Sequence, residues 1–452
     1  MKITIIGAGT IGANLAKHLS GENHEVYLVE IDKEVALKAH EKLDVKVIIG
    51  SGSDPNILKE AMIKEAGLVI AVTPSDETNL VVCSLAAAMG TGKKIARVRS
   101  EELNKVIQEF GHSHFNIDEI INPEQITSES IVKIIKTPGS SEVADFANGN
   151  ILLRSFDISP DSPLCGIKLN DQKLKEFSSR FLIVAMRNNG TLIFPRGDTQ
   201  ILDGYRIYVL LTSSFHDEFL DFVNPNMQKP KKVIIYGATT TGKHLAISLS
   251  KFIKEVIVLE EDMELAKKIA NEVESIRVIN GSGSETEMLK ECGIEASDAF
   301  IAVSTSDHLN LISAVLAKKM GTKTTIITTH QPDYLEIISA MGIDVVINPH
   351  ILATYQILRL LRGSGTRHIA KLMGSHTEVL ELIPEKDSPI TNAPIRDINF
   401  PKNSIVGAIT RNSEIILVGG NVQIQAGEPV IVFCHEEAVQ KLQKIFTKKK
   451  FF

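Results

Sequence analysis

An internal repeat limits what this chain can fold into more strongly than any other feature of its sequence. Two long segments of the first half return in the second half in the same order. KITIIGAGTIGANLAKHLSGENHEVYLVEID returns as KVIIYGATTTGKHLAISLSKFIKEVIVLEED, and VIIGSGSDPNILKEAMIKEAGLVIAVTPSDETN returns as VINGSGSETEMLKECGIEASDAFIAVSTSDHLN. Gly7 corresponds to Gly237, so the repeat distance is about 230 residues. This distance is far longer than the unit of a solenoid, and it indicates a duplicated pair of domains.

Each half also ends in a shorter repeated segment. IVAMRNNGTLIFPRGDTQILDGYRIYVLL in the first half matches VGAITRNSEIILVGGNVQIQAGEPVIVFC in the second. The order along the chain is therefore A, B, A′, B′. The 452 residues are too many for one hydrophobic core, and they suit three or four domains of ordinary size.

Segment A alternates apolar runs with helical patterns, which predicts a doubly wound parallel sheet. Residues 2–6 form an apolar strand, residues 11–20 have helical periodicity, and residues 25–30 form the next strand. Segment B has short strands and a closing helix. We therefore predict an α/β protein with two Rossmann-like domains, each followed by a small α+β module. The predicted bounds are 1–122 and 231–349 for the Rossmann-like domains and 140–223 and 367–450 for the modules, with a junction at 224–232.

The composition argues against several classes of protein. The formal net charge of −6 is opposite in sign to that of a general nucleic-acid binder, so we expect no nucleic-acid partner. No run approaches the roughly 20 apolar residues of a membrane span, and the chain begins in a strand without a leader, so we expect a cytoplasmic protein. The four cysteines include no Cys-x-x-Cys pair, and we predict neither a metal site nor a disulfide framework.

A glycine motif follows the first strand directly and precedes the first helix. In G-x-G-x-x-G the first glycine permits a tight turn, the second lets the backbone approach a pyrophosphate, and the third lets the helix pack against the strand. Glu30 closes the second strand, where a carboxylate can accept hydrogen bonds from ribose hydroxyls and would repel a 2′-phosphate. The pattern predicts NAD(H) or an adenine nucleotide rather than NADP. The predicted contacts of the loop are Gly7, Ala8, Gly9, Thr10, Ile11 and Gly12.

Further candidate contacts lie where later strands of the first half end. Ser51 follows the third strand, and Thr73 and Pro74 follow the fourth. Arg97 lies in the fifth strand, from which it could pair with phosphate oxygens, although Arg99 could serve instead. Folds of this type bind ligands at the carboxyl edge of the sheet, so these side chains are expected around one nucleotide.

The corresponding loop of the second half departs from the motif. Gly237 and Gly242 keep the first and third glycines, but Thr239 replaces the middle one, and Thr328 stands where the first half has an arginine. Since backbone approach to the pyrophosphate depends on the middle glycine, the sequence leaves open whether this site binds a nucleotide. The candidate contacts of the second site are Gly237, Ala238, Thr239, Thr240, Thr241 and Glu260.

IIGAGTIGANLAKHLSGENHEVYLVEID, GSGSDPNILKEA, AVTPSDETN and IARVRS, together with the duplicated second half, resemble the TrkA family over essentially the whole chain. Members of that family are peripheral subunits of Trk-type potassium transporters. The resemblance implies two nucleotide-binding RCK domains with C-terminal RCK modules, and a homotetrameric ring at the cytosolic face of the inner membrane. It also implies a TrkH- or TrkG-like membrane subunit as partner and NAD(H), ATP and ADP as alternative ligands. The altered loop at 239–241 departs from the glycine-rich form of the family.

Two alternatives share parts of this pattern. One is an NAD-dependent oxidoreductase, but that class needs an acid, a base or a metal beside the nicotinamide, and we identify no catalytic residues. His112 and His114 are expected in a solvated loop rather than at a metal, because no third ligand lies nearby in sequence. The other alternative is a nucleotide-sensing ring for a different ion channel. For the modules, the sequence does not choose between binding a small effector and forming assembly contacts.

Overall fold

The computed structural model spans residues 1–452. It describes all of them except 23, 176–179, 189–190, 196, 224, 226–227, 332–337, 339–340, 362–365, 372–376, 402, 412–413, 419 and 449–452. Part of the predicted junction at 224–232 thus lies outside the described residues. Among the described residues, no helix is both long enough and apolar enough to cross a membrane.

The first half begins with a six-stranded sheet in which all neighbouring strands are parallel. Its strands are β1 Lys2–Ile6, β2 Glu25–Glu30, β3 Lys46–Ile49, β4 Leu68–Ala71, β5 Lys93–Arg97 and β6 Glu119–Ile121. Their order is β3-β2-β1-β4-β5-β6. The central strands are rich in apolar residues because helices cover both faces of such a sheet, and all four residues of β4 are apolar and buried.

Helices connect these strands, and polar side chains fix where several of them begin. They are α1 Thr10–Gly21, α2 Lys33–Lys42, α3 Pro55–Glu60, α4 Asp76–Ala88, α5 Glu101–Phe110 and α6 Pro123–Lys136. Asp32 accepts hydrogen bonds from the first turn of α2, and Ser75 and Ser100 do the same for α4 and α5. Each cap satisfies backbone N–H groups that have no partner within the helix.

An antiparallel module follows in the first half. It contains β7 Ser140–Phe146, β8 Ile151–Asp157, α7 Gln172–Lys175, β9 Phe181–Asn188, β10 Thr191–Ile193, β11 Arg206–Thr212 and α8 His216–Val223. The strand order is β10-β9-β11-β8-β7. Phe219 of α8 packs against Phe156, Phe181 and Phe215, with ring centroids 4.9–6.1 Å apart, so the closing helix covers the sheet with an aromatic cluster.

The second half repeats the parallel architecture. Its strands are β12 Lys232–Tyr236, β13 Glu255–Glu260, β14 Arg277–Asn280, β15 Ala299–Ala302, β16 Thr324–Thr328 and β17 Val345–Ile347. Their order, β14-β13-β12-β15-β16-β17, is that of the first sheet. The described helices are α9 Thr240–Leu249, α10 Met263–Glu272, α11 Thr286–Glu291, α12 Asp307–Lys319 and α13 Pro349–Leu361. The predicted fold class, two Rossmann-like domains each with a smaller module, is confirmed.

The last module also repeats the topology of the first. It contains β18 Thr366–Lys371, β19 Thr377–Leu382, β20 Ser404–Arg411, β21 Glu414–Leu417, β22 Val430–His435 and α14 Val439–Phe446, in the order β18-β19-β22-β20-β21. Phe146 and Tyr208 of the first module share one buried cluster with Val379 and Phe433 of the second. The two modules therefore have a common hydrophobic core within one chain.

Contacts group the chain into two compact units that do not coincide with its two halves. One unit comprises residues 1–127 with 348–358, and the other comprises residues 128–347 with 359–452. Within the first unit, the ring of Tyr355 on α13 meets the ring of His18 on α1 edge to face, with centroids 5.8 Å apart. A helix that follows the second parallel sheet in sequence thus packs within the first Rossmann-like unit.

Candidate nucleotide-binding sites

A cleft of about 570 Å³ opens at the carboxyl edge of the first sheet. It is bounded by the ends of β1, β2, β4 and β5, by the start of α1 and by the start of α13. Nine predicted contacts line it: Gly7, Gly9, Thr10, Ile11, Glu30, Ser51, Thr73, Pro74 and Arg97. The structure brings these residues together from five separate segments of sequence, at the position where doubly wound sheets bind ligands.

The three glycines of the loop serve different steric requirements. Gly7 has φ +103°, and a β-carbon there would lie 3.1 Å from the backbone nitrogen of Thr73. A β-carbon on Gly12 would lie 1.8 Å from the carbonyl oxygen of Gly7, so only glycine lets α1 approach β1 this closely. At Gly9 a β-carbon would meet nothing within 4 Å. The middle glycine therefore faces open space, which a ligand phosphate can fill.

The start of α1 provides backbone donors to that space. Gly9 is the N-cap of α1 and offers no side chain to its first turn. The free N–H groups and the helix dipole favour a negatively charged group at this end. Ala8 does not line the cleft, because its N–H donates to Glu30 Oε2 at 2.6 Å.

Glu30 links the glycine loop to the second strand. Its Oε2 accepts the N–H of Ala8, and its Oε1 accepts the N–H of Asp32 at 2.9 Å. Each carboxylate oxygen has two lone pairs, so both can still accept a hydrogen bond from a ribose hydroxyl. The residue thus holds the loop in place and offers acceptors on the wall of the cleft.

Arg97 is the basic side chain that β5 contributes to the cleft. Its side chain is only 12% exposed, and burial lowers the pKa of the guanidinium although the carboxylate of Glu124 opposes that change. The nearest atoms of this pair are 3.8 Å apart, and Nε of Arg97 has no hydrogen-bond partner among the described residues. Arg99 lies beyond the end of the strand and donates to the carbonyl of Pro74 at 2.7 Å. Arg97 is therefore the better placed of the two arginines for a ligand anion.

The second loop has the same backbone shape but a different hydrogen-bond pattern. Gly237 has φ +107°, and a β-carbon on Gly242 would lie 1.9 Å from its carbonyl oxygen. Glu260 accepts the N–H of Ala238, as Glu30 does in the first half. Thr239 differs: its hydroxyl donates to the carbonyl of Val303 at 2.9 Å and accepts the N–H of Gly242 at 3.2 Å. The side chain of Thr239 thus accepts a backbone N–H at the start of α9, whereas Gly9 has no side chain to do so at the start of α1.

Side chains also bond to one another along the ribose edge of the second site. Tyr236 stands where the first half has Ile6, and its hydroxyl donates to Glu261 at 2.7 Å. Ser282 donates to the same carboxylate. Burial and Glu261 together raise the pKa of Tyr236, so the phenol stays protonated as a donor. Thr328, at the position of Arg97, is buried and provides no cation.

Family comparisons identify both pairs of domains. The TrkA-N domain matches residues 3–123 and 233–349, and the TrkA-C domain matches residues 153–223 and 379–447. The chain belongs to the TrkA family. The resemblance predicted from the sequence is thereby confirmed.

Named relatives agree with this assignment, and solved structures share the fold. The Trk system potassium uptake protein TrkA of Haemophilus influenzae is 29% identical over 464 residues, covering 100% of both chains. The protein of the same name from Halomonas elongata is 28% identical over 451 residues, covering 99% of this chain and 98% of the relative. The crystal structure of the GsuK RCK domain covers 98% of this chain and 94% of its own, with a TM-score of 0.62 and 16% identity. The GsuK channel bound to NAD gives a TM-score of 0.63, also at 16% identity, covering 98% of this chain and 78% of its own.

Sequence reasoning missed a buried asparagine that supports the cleft. Asn79 on α4 is fully buried, and its Oδ1 accepts the N–H of Thr73 at 3.0 Å. Its Nδ2 donates to the carbonyls of Thr73 and Arg97, at 3.1 and 2.9 Å. Asn310 makes the equivalent bonds to Ser304 and Thr328. The signal was available, because both copies of the repeat end in this asparagine.

Sequence reasoning also missed His350, which lines the first cleft from the start of α13. INPE in the first half matches INPH in the second, which places Glu124 and His350 at equivalent positions. This match does not predict that His350 lines the first cleft, whose glycine loop lies more than 300 positions earlier in the chain.

The next residues are the histidines and cysteines that the sequence analysis considered as metal ligands. His112 and His114 lie in a short 3₁₀ helix, His112–Phe115, rather than in an irregular loop. Within the described part of the chain, no group of three or more His, Cys, Asp or Glu side chains could hold a metal ion. All four cysteines are free thiols, and burial raises the pKa of Cys83 to about 12 and that of Cys292 to about 11.

Proposed function

We propose that this chain is the nucleotide-binding regulatory subunit of a potassium uptake system, with the first cleft as its sensor. One observation carries the proposal: an open glycine loop, an acidic residue that ends β2 and a buried arginine line a single cleft. We infer the transport process, potassium uptake, from the relatives named Trk system potassium uptake protein. We infer no catalytic step, and the nucleotide acts as a signal.

The chemistry of the cleft favours NAD(H), ATP and ADP as alternative ligands. The start of α1 and Arg97 suit phosphate oxygens, and Glu30 suits the ribose diol while repelling a 2′-phosphate. GsuK, which shares the fold, has been solved with NAD and with ADP. All three ligands contain an adenosine diphosphate unit, so one site can exchange them.

Regulation follows if the ligands differ in affinity for two arrangements of the protein. A nucleotide shifts such an equilibrium only by that difference, so ATP and ADP must be distinguished near the phosphate loop. We propose a TrkH- or TrkG-like channel subunit at the cytosolic face of the inner membrane as the element that is gated. We propose that four copies of the chain form a ring beneath this channel subunit. Each copy contributes the four domains 1–122, 140–223, 231–349 and 367–450.

The test is calorimetric titration of the purified chain with NADH, ADP and ATP, alongside the variant Gly9→Val. A β-carbon at this position would meet no protein atom within 4 Å, and the valine side chain would fill the space open to a phosphate. We expect affinity for all three nucleotides to fall at least about 100-fold. Gly21→Val is the matched control, because a β-carbon at Gly21, on the same helix, would also lie in open space but away from the cleft.

The outcomes separate the possibilities cleanly. Tight binding that Gly9→Val abolishes and Gly21→Val preserves supports the first cleft as sensor. The absence of nucleotide binding by the unmodified protein would overturn the proposal. Oxidation of NADH in the presence of a reducible substrate, followed at 340 nm as about one turnover or more per chain, would instead favour the dehydrogenase alternative.

A further inference from the structure

The first cleft contains one side chain that the second half of the chain contributes. His350 is the second residue of α13 and lines the cleft together with the glycine loop and Arg97. Asn348 fixes the first turn of α13, because its Oδ1 accepts the N–H groups of His350 and Ile351, each at 3.0 Å. The imidazole is therefore held on an ordered helix start rather than on a loop.

The repeat shows what this position holds in the other copy. Asn122 caps α6 in the same way, with its Oδ1 accepting the N–H of Gln125 at 2.9 Å. The residue equivalent to His350 is Glu124, which lies 3.8 Å from Arg97. A carboxylate has thus been exchanged for an imidazole at one of two equivalent positions. A carboxylate repels phosphate, whereas an imidazole donates a hydrogen bond to it and attracts it strongly when protonated.

We propose that His350 is a ligand-contacting residue of the first nucleotide site, where it donates to the phosphate chain and favours ATP over NADH. This inference rests on the proposed function, since it assigns a specificity residue to that same cleft. ATP carries more negative charge on its phosphates than NADH, so a second cation in the cleft that Arg97 lines benefits ATP more. A charge-assisted hydrogen bond is about twice as strong as a neutral one, so protonation of the imidazole increases the preference.

The charged and titratable groups around the cleft determine how the imidazole responds to pH. Glu30 on β2 and Arg97 on β5 line the cleft with His350, Glu124 on α6 and Asp76 on α4 act on Arg97, and His18 on α1 contacts Tyr355 of α13. Glu124 lies against Arg97. Bound ATP adds the negative charge of its phosphates to the cleft, and this charge favours the protonated imidazole of His350 over the neutral one, so ATP binding strengthens as the pH falls.

The contact also has a consequence for signalling within the chain. α13 runs from the cleft to Leu361, and β18 of the last module begins at Thr366. A phosphate that binds His350 therefore contacts the helix that precedes the second C-terminal module in sequence. In this way the second half, whose own loop holds Thr239, takes part in sensing through the first site.

The experiment compares His350→Gln, His350→Lys and His350→Glu in the full chain, titrated with ATP and NADH at pH 6 and pH 8. We expect His350→Gln to weaken ATP about 10-fold at pH 6, NADH by less than about 3-fold, and the ATP effect to shrink at pH 8. His350→Lys should keep ATP affinity at both pH values, and His350→Glu should lose the most. His40→Gln, on an exposed position of α2, is the matched control.

The results distinguish this inference from the proposed function. If the unmodified protein binds nucleotides and Gly9→Val does not, but all three His350 variants bind ATP normally, the inference is wrong and the proposed function stands. Equal losses for ATP and NADH, independent of pH and charge, would show that His350 only packs the helix start. If the unmodified protein binds no nucleotide, both are overturned. Thermal unfolding of each variant identifies any that fail to fold.

Discussion

At the scale of single residues, the cleft depends on side chains that never touch a ligand. Asn79 is the main example, because it bonds the ends of β4 and β5 through both atoms of its amide. Thr73 and Arg97, which line the cleft, are held at their backbones by this one buried group. Its geometry explains why two side chains from different strands stay at a fixed separation.

We predict that Asn79→Ala destabilises the protein and weakens nucleotide binding together. The substitution leaves the N–H of Thr73 and two carbonyls without a partner, and each buried unsatisfied group costs about 1–3 kcal/mol. NADH affinity should therefore fall, measured by calorimetry, while the midpoint of urea unfolding decreases. Asn310→Ala removes the equivalent bonds in the second half. Asn310→Ala should lower the midpoint of urea unfolding by a similar amount and leave NADH binding at the first site intact. An equal loss of NADH binding in both variants would contradict a specific role of Asn79 at the first cleft.

Individual residues also mark how far the sequence could predict the site. The convergence of the candidate residues from Gly7 to Arg97 on one cleft follows from strand order and from the rule that ligands bind at the carboxyl edge, so it was predictable. The role of Asn79 could be predicted only from the repeat, because both copies end in this asparagine. His350 was not predictable, because its position depends on packing of α13 within the unit formed by residues 1–127 and 348–358. Such long-range packing leaves no local pattern in sequence.

At the scale of elements, the two strand-loop-helix units have the same backbone and different chemistry. Periodicity and glycine spacing predicted both units correctly, since these patterns determine local geometry. They did not predict that the hydroxyl of Thr239 would bond Val303 and Gly242, because a rotamer depends on the packed surroundings. The sequence therefore left the second site undecided, and the structure adds that the Thr239 hydroxyl already accepts the N–H of Gly242.

We predict that Thr239→Gly opens the second loop to a phosphate. The glycine removes the hydroxyl that accepts the N–H of Gly242, and as an N-cap it costs only a few tenths of a kcal/mol relative to threonine. In a Gly9→Val background, where the first cleft is blocked, ADP binding should increase measurably by calorimetry. Thr239→Ser keeps the hydroxyl and is the matched control, which should bind no better than the parent. An unchanged ADP titration in Thr239→Gly would show that other groups, such as Tyr236, close the site.

At the scale of the whole molecule, duplication within one chain allows the two copies to differ. One copy keeps an open loop and the buried Arg97, and the other carries Thr239, Tyr236 and Thr328 in the corresponding places. The two modules nevertheless remain matched, since they share one strand topology and one core. The sequence indicated two modules but not their common core, because alternating apolar strands do not specify which sheet covers them.

The common core of the modules gives the last prediction. Gly407 lies on β20 against the first module, where a β-carbon would stand 2.6 Å from Leu210 and 3.1 Å from Phe433. Gly407→Val should therefore force the two sheets apart and lower the free energy of unfolding by about 1–3 kcal/mol. Gly420→Val is the control, because its β-carbon would meet only the side chain of Arg396 at 3.4 Å. Urea unfolding measures the difference, and NADH titration should show the first site unchanged. A Gly407→Val protein as stable as the control would mean that the modules do not depend on this packing, and that their pairing contributes little to holding the two halves together.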